Sequence, residues 1–463
     1  MTYRIRKRLF IALTILFFAT VPLIVLLTQG YRVDTENKRL VKTGGIDLDI
    51  KTANTSVFLN NELKKETNFL FKGIIFRNII PGQYQIKLEK NNYATWEKTI
   101  LVAEEQVTKF FDIKLFPKEL HENLILKNIV YANISPNQKH TIAYGQNPKN
   151  NTTQIFLINL ENLNINPILN PENLQDIRSI NWNNESSLFS ITSKNSAYIG
   201  AVDSLENTKN WTNFLLNKKS TAFSLNSKII PINTDSIFVL ETNTDATTNV
   251  HYLNVNKNIA KLKLVEKAIA LDIVDDQIFY LDSGGILNQI SPNDSSPLEL
   301  TETAIVRPTT TNAKIQIQKN SDSSLIINRG NLFLWQRGKP FEKIASNVEN
   351  AIWGKEKILY WNSNDIYIYW LKELFGPPRR LPADTEHIRV ASPVINADWA
   401  SKEEAHIAIQ TSNNLVLAEI DSRDKRITTE YKLDFVHNFI GNNLNKEAVY
   451  VIINNDLTEF NYR

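Results

Sequence analysis

Cysteine is absent from this 463-residue chain, which excludes disulfides, thiolate zinc sites, iron–sulfur clusters, thiol nucleophiles and lipid attachment through sulfur. Stability must then come from packing. Methionine occurs once and histidine six times, so a metal centre would have to be built from carboxylates and a sparse set of imidazoles. An excess of one charge is missing too: 52 Lys and Arg face 49 Asp and Glu, a formal +3, too little to act as an electrostatic footprint for a polyanion. Nucleic acid is therefore not an expected partner. Gly-x-Ser-x-Gly, His-Glu-x-x-His, the Gly-rich phosphate loop and the dinucleotide fingerprint are all lacking. What the sequence does have is a 42% hydrophobic content, enough to bury cores in about three folding units and to exclude wholesale disorder.

One long apolar run is present. Arg4, Arg6, Lys7 and Arg8 precede an uncharged stretch from Leu9 through Leu27 to Thr28, rich in Leu, Ile, Phe and Val. At 1.5 Å per residue, about 20 residues cross the ~30 Å hydrocarbon core of a bilayer. No acid comes before Asp34, so the positive-inside rule holds residues 1–8 in the cytoplasm and sends the rest across. The expectation is a signal anchor: a single-pass protein of the cell membrane with its C-terminal domains extracytoplasmic. A cleavable signal peptide is the competing reading, but it calls for an apolar stretch of only about 7–15 residues. Its best cleavage candidate, Ala19-Thr20-Val21, runs directly into Pro22 and further apolar residues. Tyr31 and Arg32 suit the outer interface, and residues 29–43 read as a linker.

From Gly44 the pattern changes to period two. Ile46, Leu48 and Ile50 alternate with Asp47, Asp49 and Lys51, which marks a half-buried strand. Val57-Phe58-Leu59 runs into Asn60-Asn61, a pair that tolerates positive φ, so residues 55–63 read as a hairpin. Pro81-Gly82 is a turn, Tyr84, Ile86 and Leu88 alternate with polar residues, and Asn91-Asn92 turns again. A last strand spans 107–115 before Pro117. These residues resemble the PEGA domain, on Ile46 to Ile50, Ser56 to Asn60, Pro81-Gly82-Gln83-Tyr84-Gln85-Ile86-Lys87-Leu88, Asn92-Tyr93 and Phe110 to Leu115. The family's Pro-x-Gly-Ala turn is replaced by Thr52-Ala53-Asn54-Thr55-Ser56, and its Gly-x-Thr-Pro segment is not visible near Glu66-Thr67. The resemblance implies a small surface-exposed β-sandwich without catalysis of its own. An unrelated immunoglobulin-like spacer would show much the same pattern.

Beyond residue 118 the texture is short apolar strands separated by turns rich in Asn, Asp, Ser, Gly and Pro. Copies of a strand-turn-strand-turn-strand unit begin near Ile129, Ile177, Ala222, Ala268, Pro308, Ala351, Ala397 and Asn438. The interval from Ile134 to Ile440 divides into seven steps of about 44 residues, the period of a propeller blade. Two successive β-sandwiches are the rival architecture, but they leave the regular period unexplained. Ser135-Pro136-Asn137-Gln138-Lys139, followed by Thr141-Ile142-Ala143-Tyr144, resembles the Ser-Pro-Asp-Gly-Lys turn of the WD40-like repeats in TolB-type propellers. Asn137 stands for Asp there and Gln138 for Gly. The expected fold is all-β: cytoplasmic tail 1–8, transmembrane helix 9–28, linker 29–43, PEGA-like sandwich module 44–117, and a seven- or eight-bladed β-propeller over 118–463.

Candidate chemistry is thin. Asp272, Asp275-Asp276, Asp282, Asp365, Asp398 and Asp421 could pair in a propeller channel for acid–base work on a glycan, but nearly all sit where Asp belongs for turn hydrogen bonding. Trp335, Trp353, Trp361, Trp370 and Trp399 would line a carbohydrate or peptide platform, or else fill the wedges between blades. Gly376-Pro377-Pro378-Arg379-Arg380-Leu381-Pro382 is a rigid basic insertion. Candidate partner contacts are thus Arg379, Arg380, Trp353 and Trp399, and no catalytic, metal or cofactor residue is assigned. The sequence favours a non-catalytic binding or scaffolding protein of a bacterial cell envelope, held by the lipid bilayer and meeting an envelope protein or cell-wall glycan. An envelope glycan-active enzyme with paired carboxylates is the alternative.

Overall fold

The computed structural model describes residues 3–35, 38–68, 72–147, 152–168, 176–194, 196–217, 227–304, 313–318, 322–374, 378–433 and 438–463. The chain forms two compact units, one of residues 1–119 with 372–381 and 417–429, the other of 120–371, 382–416 and 430–463.

In the first unit, helix α1 (Tyr3–Thr28) is followed by strands β1 (Tyr31–Asp34), β2 (Arg39–Lys42), β3 (Gly44–Ile50), β4 (Ser56–Leu59), β5 (Glu62–Glu66), β6 (Gly73–Ile79), β7 (Gly82–Glu89), β8 (Trp96–Val102) and β9 (Val107–Ile113). The helix starts earlier than the expected residue 9, because Arg6, Lys7 and Arg8 are good helix formers that extend it. The linker expected over 29–43 is instead an antiparallel hairpin: Tyr31 pairs with Lys42 and Val33 with Leu40. Its base is closed by the Thr43 N–H and hydroxyl, both donating to the Gly30 carbonyl at 2.9 and 2.8 Å. A dozen mostly polar residues read as linker because a two-stranded ribbon buries little and leaves no apolar run.

Two sheets make the sandwich, ordered β6-β3-β9 and β5-β4-β7-β8. The period-two residues meet between them: Ile46, Leu48, Ile50, Val57, Ile86, Leu88 and Trp96 are all buried. Asn60 and Asn61 adopt φ of 51° and 65°, the mirror-image turn that matches strand twist in a two-residue hairpin. The β3–β9 pairing is parallel, a long-range connection that no local pattern marks.

The second unit holds, among the described residues, eight successive four-stranded sheets. Their first, inner strands are Ile129–Ile134, Ile177–Trp182, Lys228–Asn233, Ala270–Val274, Lys314–Ile317, Asn350–Trp353, Val394–Trp399 and Asn438–Asn443. The expected starts at Ala222 and Pro308 lie outside the described residues, and those inner strands begin at Lys228 and Lys314. Helix α2 (Thr212–Asn217) lies between the second and third sheets. The eighth sheet takes His121–Leu126 as its outermost strand, so the start of the unit pairs with its end. Ile129, Ala132 and Ala143 of the first sheet pack with Ala448, Tyr450 and Ile452 of the eighth, closing the ring and removing long sheet edges. Buried Glu459 ties this closure, accepting hydrogen bonds from Asn123 (3.2 Å), Tyr450 (2.9 Å) and Lys446 (3.1 Å). This is the β-propeller expected from the period.

One glycine is required by this geometry. A bulge at Val130 interrupts the register between the first two strands of the first sheet, and Gly145 faces it. A Cβ on Gly145 would lie 1.7 Å from the Asn128 carbonyl oxygen, a backbone atom that cannot swing away. Gly145→Ala is expected to cost roughly 1–3 kcal/mol through overpacking, read as a lower urea midpoint.

Candidate functional site

Helix α1 presents its apolar side chains outward; Phe10 and Phe18 are each 70% exposed. The 24 residues Ile5–Thr28 are long and apolar enough to cross a membrane, and none of that window is buried; a signal sequence would pass the same test. The hydroxyls of Thr14, Thr20 and Thr28 donate to the carbonyls of Phe10, Leu16 and Val25, which satisfies these side chains within the helix. Arg32 closes the C-terminus by donating to the Leu27 and Tyr31 carbonyls at 3.0 and 2.8 Å. Of the expected anchor residues, Arg6, Lys7, Arg8, Leu9 and Leu27 are solvent-exposed on this helix, and the side chain of Arg4 lies outside the described residues.

The tryptophans have a different role from the one a ligand platform needs. Three sit at the end of an inner strand and donate to the preceding sheet: Trp182 to the Asn133 carbonyl (3.1 Å), Trp353 to Gln316 (3.3 Å) and Trp399 to Trp353 (2.9 Å), while Trp335, Trp361 and Trp370 are buried on other strands. Asn442 repeats the bond to Trp399 at 2.9 Å. Trp399 is buried, so the candidate partner contact there is corrected: its ring fills the wedge between sheets and is closed to a ligand. Trp353 is half-buried.

A second ladder runs through the turns. Gln138, Ser186 and Glu404 take φ of 61°, 61° and 56°, and each side chain accepts a backbone N–H from the sheet before it. The donors are Leu444 (3.1 Å), Asn137 (2.9 Å) and Lys355 (2.7 Å). Gln138 can thus replace the glycine of the WD40-like turn because its amide gains a partner that glycine lacks, which offsets the strained φ. Asn137 keeps the role of Asp, its Oδ1 accepting from the Lys139 N–H at 3.0 Å.

In the basic insertion, residues 375–377 lie outside the described residues, so Gly376 and Pro377 do too. Leu374 bridges Arg380, and the Arg379 guanidinium pairs with Glu373 at 2.5 Å. Arg379 is therefore partnered within its own loop, although two-thirds exposed.

Most of the candidate carboxylates are engaged in hydrogen bonds within the fold. Asp272 accepts from the Ile273 and Ile317 N–H groups (2.9 and 2.8 Å), Asp282 from Gly284 and Ile286, Asp276 from Gln277, and Asp365 faces His387 at 2.8 Å. Asp398 accepts from Trp399 N–H at 2.8 Å, and burial pushes its carboxyl up to about 6. Burial also raises Asp272. Buried His251 accepts from the Lys263 N–H at Nδ1 (3.1 Å), which assigns the proton to Nε2, 3.3 Å from Glu241; burial lowers its pKa. Among the described residues no three His, Asp or Glu side chains converge as a metal ion requires. A depression of about 470 Å3 lies along the inner strands of the fourth to sixth sheets, lined by Leu271, Lys314, Gln316, Asn350 and Ile352. Lys314 donates from its rim to the Glu349 carbonyl at 3.2 Å. That volume is of small-ligand size.

A buried polar cluster gathers around Lys98, and of its members the sequence singled out only Asp421. On β8 the buried face carries Trp96, Lys98, Ile100 and Val102, so strand alternation forces a lysine into the core of the first unit. Lys98 is fully buried, 2.5 Å from Glu419 and 2.9 Å from the Asp421 carbonyl. Glu419 also accepts from the Trp96 indole N–H (3.0 Å) and the Ile427 N–H (2.9 Å). Arg423 stacks on Phe110 with its guanidinium 3.8 Å from the ring centroid, pairs with Asp421 and donates to the Lys109 carbonyl at 2.8 Å. Burial pushes Glu419 up, and Lys98 and Trp96 offset only part of this; burial would raise Asp421 as well, but the Arg423 guanidinium overrides it and holds that carboxyl down. The segment 417–429 thereby completes the sandwich core, with Ile427 packed against it. A lysine in phase with the apolar positions of β8 was the available signal; its partner more than 300 residues later was not.

The PEGA domain family matches residues 76–118, the second half of the sandwich module. No curated protein sequence matches the chain. Among solved structures it is similar to the WD40 domain of SCAP from fission yeast, at 12% identity and a TM-score of 0.41 over 74% of this chain and 98% of that one. It is also similar to the Dos1 propeller, at 8% identity and a TM-score of 0.47 over 74% and 95%. A third is PorZ of Porphyromonas gingivalis, described as a bacterial surface component of the type-IX secretion system, at 12% identity and a TM-score of 0.40 over 71% and 42%. The chain thus carries a sandwich module that the PEGA family matches in part and a β-propeller of successive four-stranded sheets, behind an N-terminal apolar helix.

Proposed function

We propose that this protein is a membrane-anchored, extracytoplasmic binding or scaffolding protein of a bacterial cell envelope, non-catalytic, with the propeller as its display surface for an envelope protein or wall glycan. The observation that carries the reading is α1: a helix of membrane-spanning length whose apolar window has no buried residue among the described ones has lipid as its natural partner. The hydrogen bonding of the candidate acids supports the non-catalytic part, since carboxylates committed to backbone N–H groups hold structure.

The absence of cysteine makes the test clean. In intact, wall-stripped cells, Leu298→Cys is expected to react with a membrane-impermeant maleimide, and Thr2→Cys only after permeabilisation. The reverse pattern would overturn the topology, and a mature chain lacking the helix by mass would make α1 a signal sequence. The soluble ectodomain, immobilised and exposed to purified wall glycan, is expected to leave the glycan length unchanged; shortened chains would favour the glycan-active alternative.

A further inference from the structure

Beside the helix end, the first unit gathers exposed apolar residues that the fold does not use. Val33 (61% exposed) and Leu40 (50%) are directly paired on the β1–β2 hairpin, which begins at Tyr31, just past the end of α1. The β8–β9 turn is fastened to the same place. Glu105 N–H donates to the Thr43 carbonyl at 3.2 Å, Gly45 N–H to Gln106 at 2.9 Å, and Lys42 pairs with Glu105. Flanking that turn are Leu101, 67% exposed, and Val107, 44%. Two of the nearby cations are partnered: Arg39 lies 3.6 Å from Asp34, and Lys42 also sits over the Tyr31 ring. An apolar collar with charged and aromatic side chains at its rim is what the headgroup boundary of a bilayer accepts. Since α1 leads straight into it, the surface that continues the helix is lipid.

We propose that the β1–β2 hairpin and the β8–β9 turn form a membrane-surface contact in which Val33, Leu40, Leu101 and Val107 enter the headgroup region of the outer leaflet. The proposal rests on the anchor reading above. It gives the hairpin a function: rather than a tether, it is a foot that fixes how the sandwich stands on the membrane.

The test uses the full chain in phosphatidylcholine/phosphatidylglycerol vesicles, with a polarity-sensitive fluorophore on single cysteines and lipids spin-labelled at two depths. Phe18→Cys reports the anchor. Asn91→Cys, in the turn at the other end of β8 and roughly 20 Å along that strand, reports water. Val33→Cys, Leu40→Cys and Leu101→Cys are expected to show blue-shifted emission and loss of intensity with the shallow label, while Asn91→Cys shows neither. If Phe18→Cys is quenched by the deep label but Val33→Cys and Leu101→Cys behave like Asn91→Cys, the foot is wrong and the anchor stands. An unquenched Phe18→Cys overturns both.

Discussion

Replacing Lys98 with Met is expected to destabilise the first unit by about 3–5 kcal/mol, because it strands the Glu419 carboxylate in a buried site. Lys98→Met with Glu419→Leu should recover only part of the loss, since it removes the stranded charge but leaves the Trp96 indole and Ile427 N–H groups without the acceptor Glu419 gave them. Urea unfolding of residues 30–463 would read both. A Lys98→Met protein as stable as the parent would show that the pair does not hold the core. The single variant should also be pH-sensitive in a definite direction. Burial raises the Glu419 pKa in the folded state, so its contribution is fully present below the unfolded value of 4.5 and is lost as pH rises through the folded value. Without Lys98 to offset it, that loss grows. The same core explains a fragment result: residues 30–119 alone should unfold readily, and a peptide of residues 415–430 added in trans should restore them.

Trp399→Ala is expected to cost about 3–5 kcal/mol as well, in the range of buried Trp truncations. The ring sits 5.2 Å from the Lys357 ammonium, which lies 5.3 Å from Trp370 and donates to the Glu404 carbonyl at 3.0 Å. Removing it opens a cavity and takes one face of the cation's aromatic cage, besides the bond to Trp353. Trp353→Ala should cost less, its ring being half-buried. Unchanged stability for Trp399→Ala with lost binding of a glycan would return that ring to the ligand reading. Next to it, Asp398 titrates near 6 in the fold against 3.8 unfolded, so its contribution is complete below 3.8 and lost as pH rises through about 6. Asp398→Asn keeps an acceptor for the Trp399 N–H and cannot ionise. Its melting temperature relative to the parent should therefore rise between pH 4 and 7; parallel curves would refute a buried carboxyl there.

Much of the architecture is written locally. Ile46, Leu48 and Ile50 declare a strand by alternation, Asn60-Asn61 declare their turn by tolerance of positive φ, and Leu9 to Thr28 declare a membrane-length helix by composition. The period of about 44 residues announces a propeller because each blade repeats the same burial problem. Such signals survive in sequence because they depend on neighbours a few positions apart.

What only the tertiary structure decided depends on residues far apart in the chain. The entry of His121–Leu126 into the eighth sheet, the parallel β3–β9 pairing and the Lys98–Glu419 pair each join segments whose separation no periodicity encodes. The same holds for the candidate sites. On paper Trp399 can be a ligand platform or, as its repeated position favours, a wedge filler, and its burial with a 2.9 Å bond to a neighbouring sheet decides for the second. Lys98 is one charge in an apolar phase until Glu419 stands beside it. Sequence fixes which groups must be buried or exposed; which buried groups meet is set by how the strands close, and that closure selects partners across hundreds of residues.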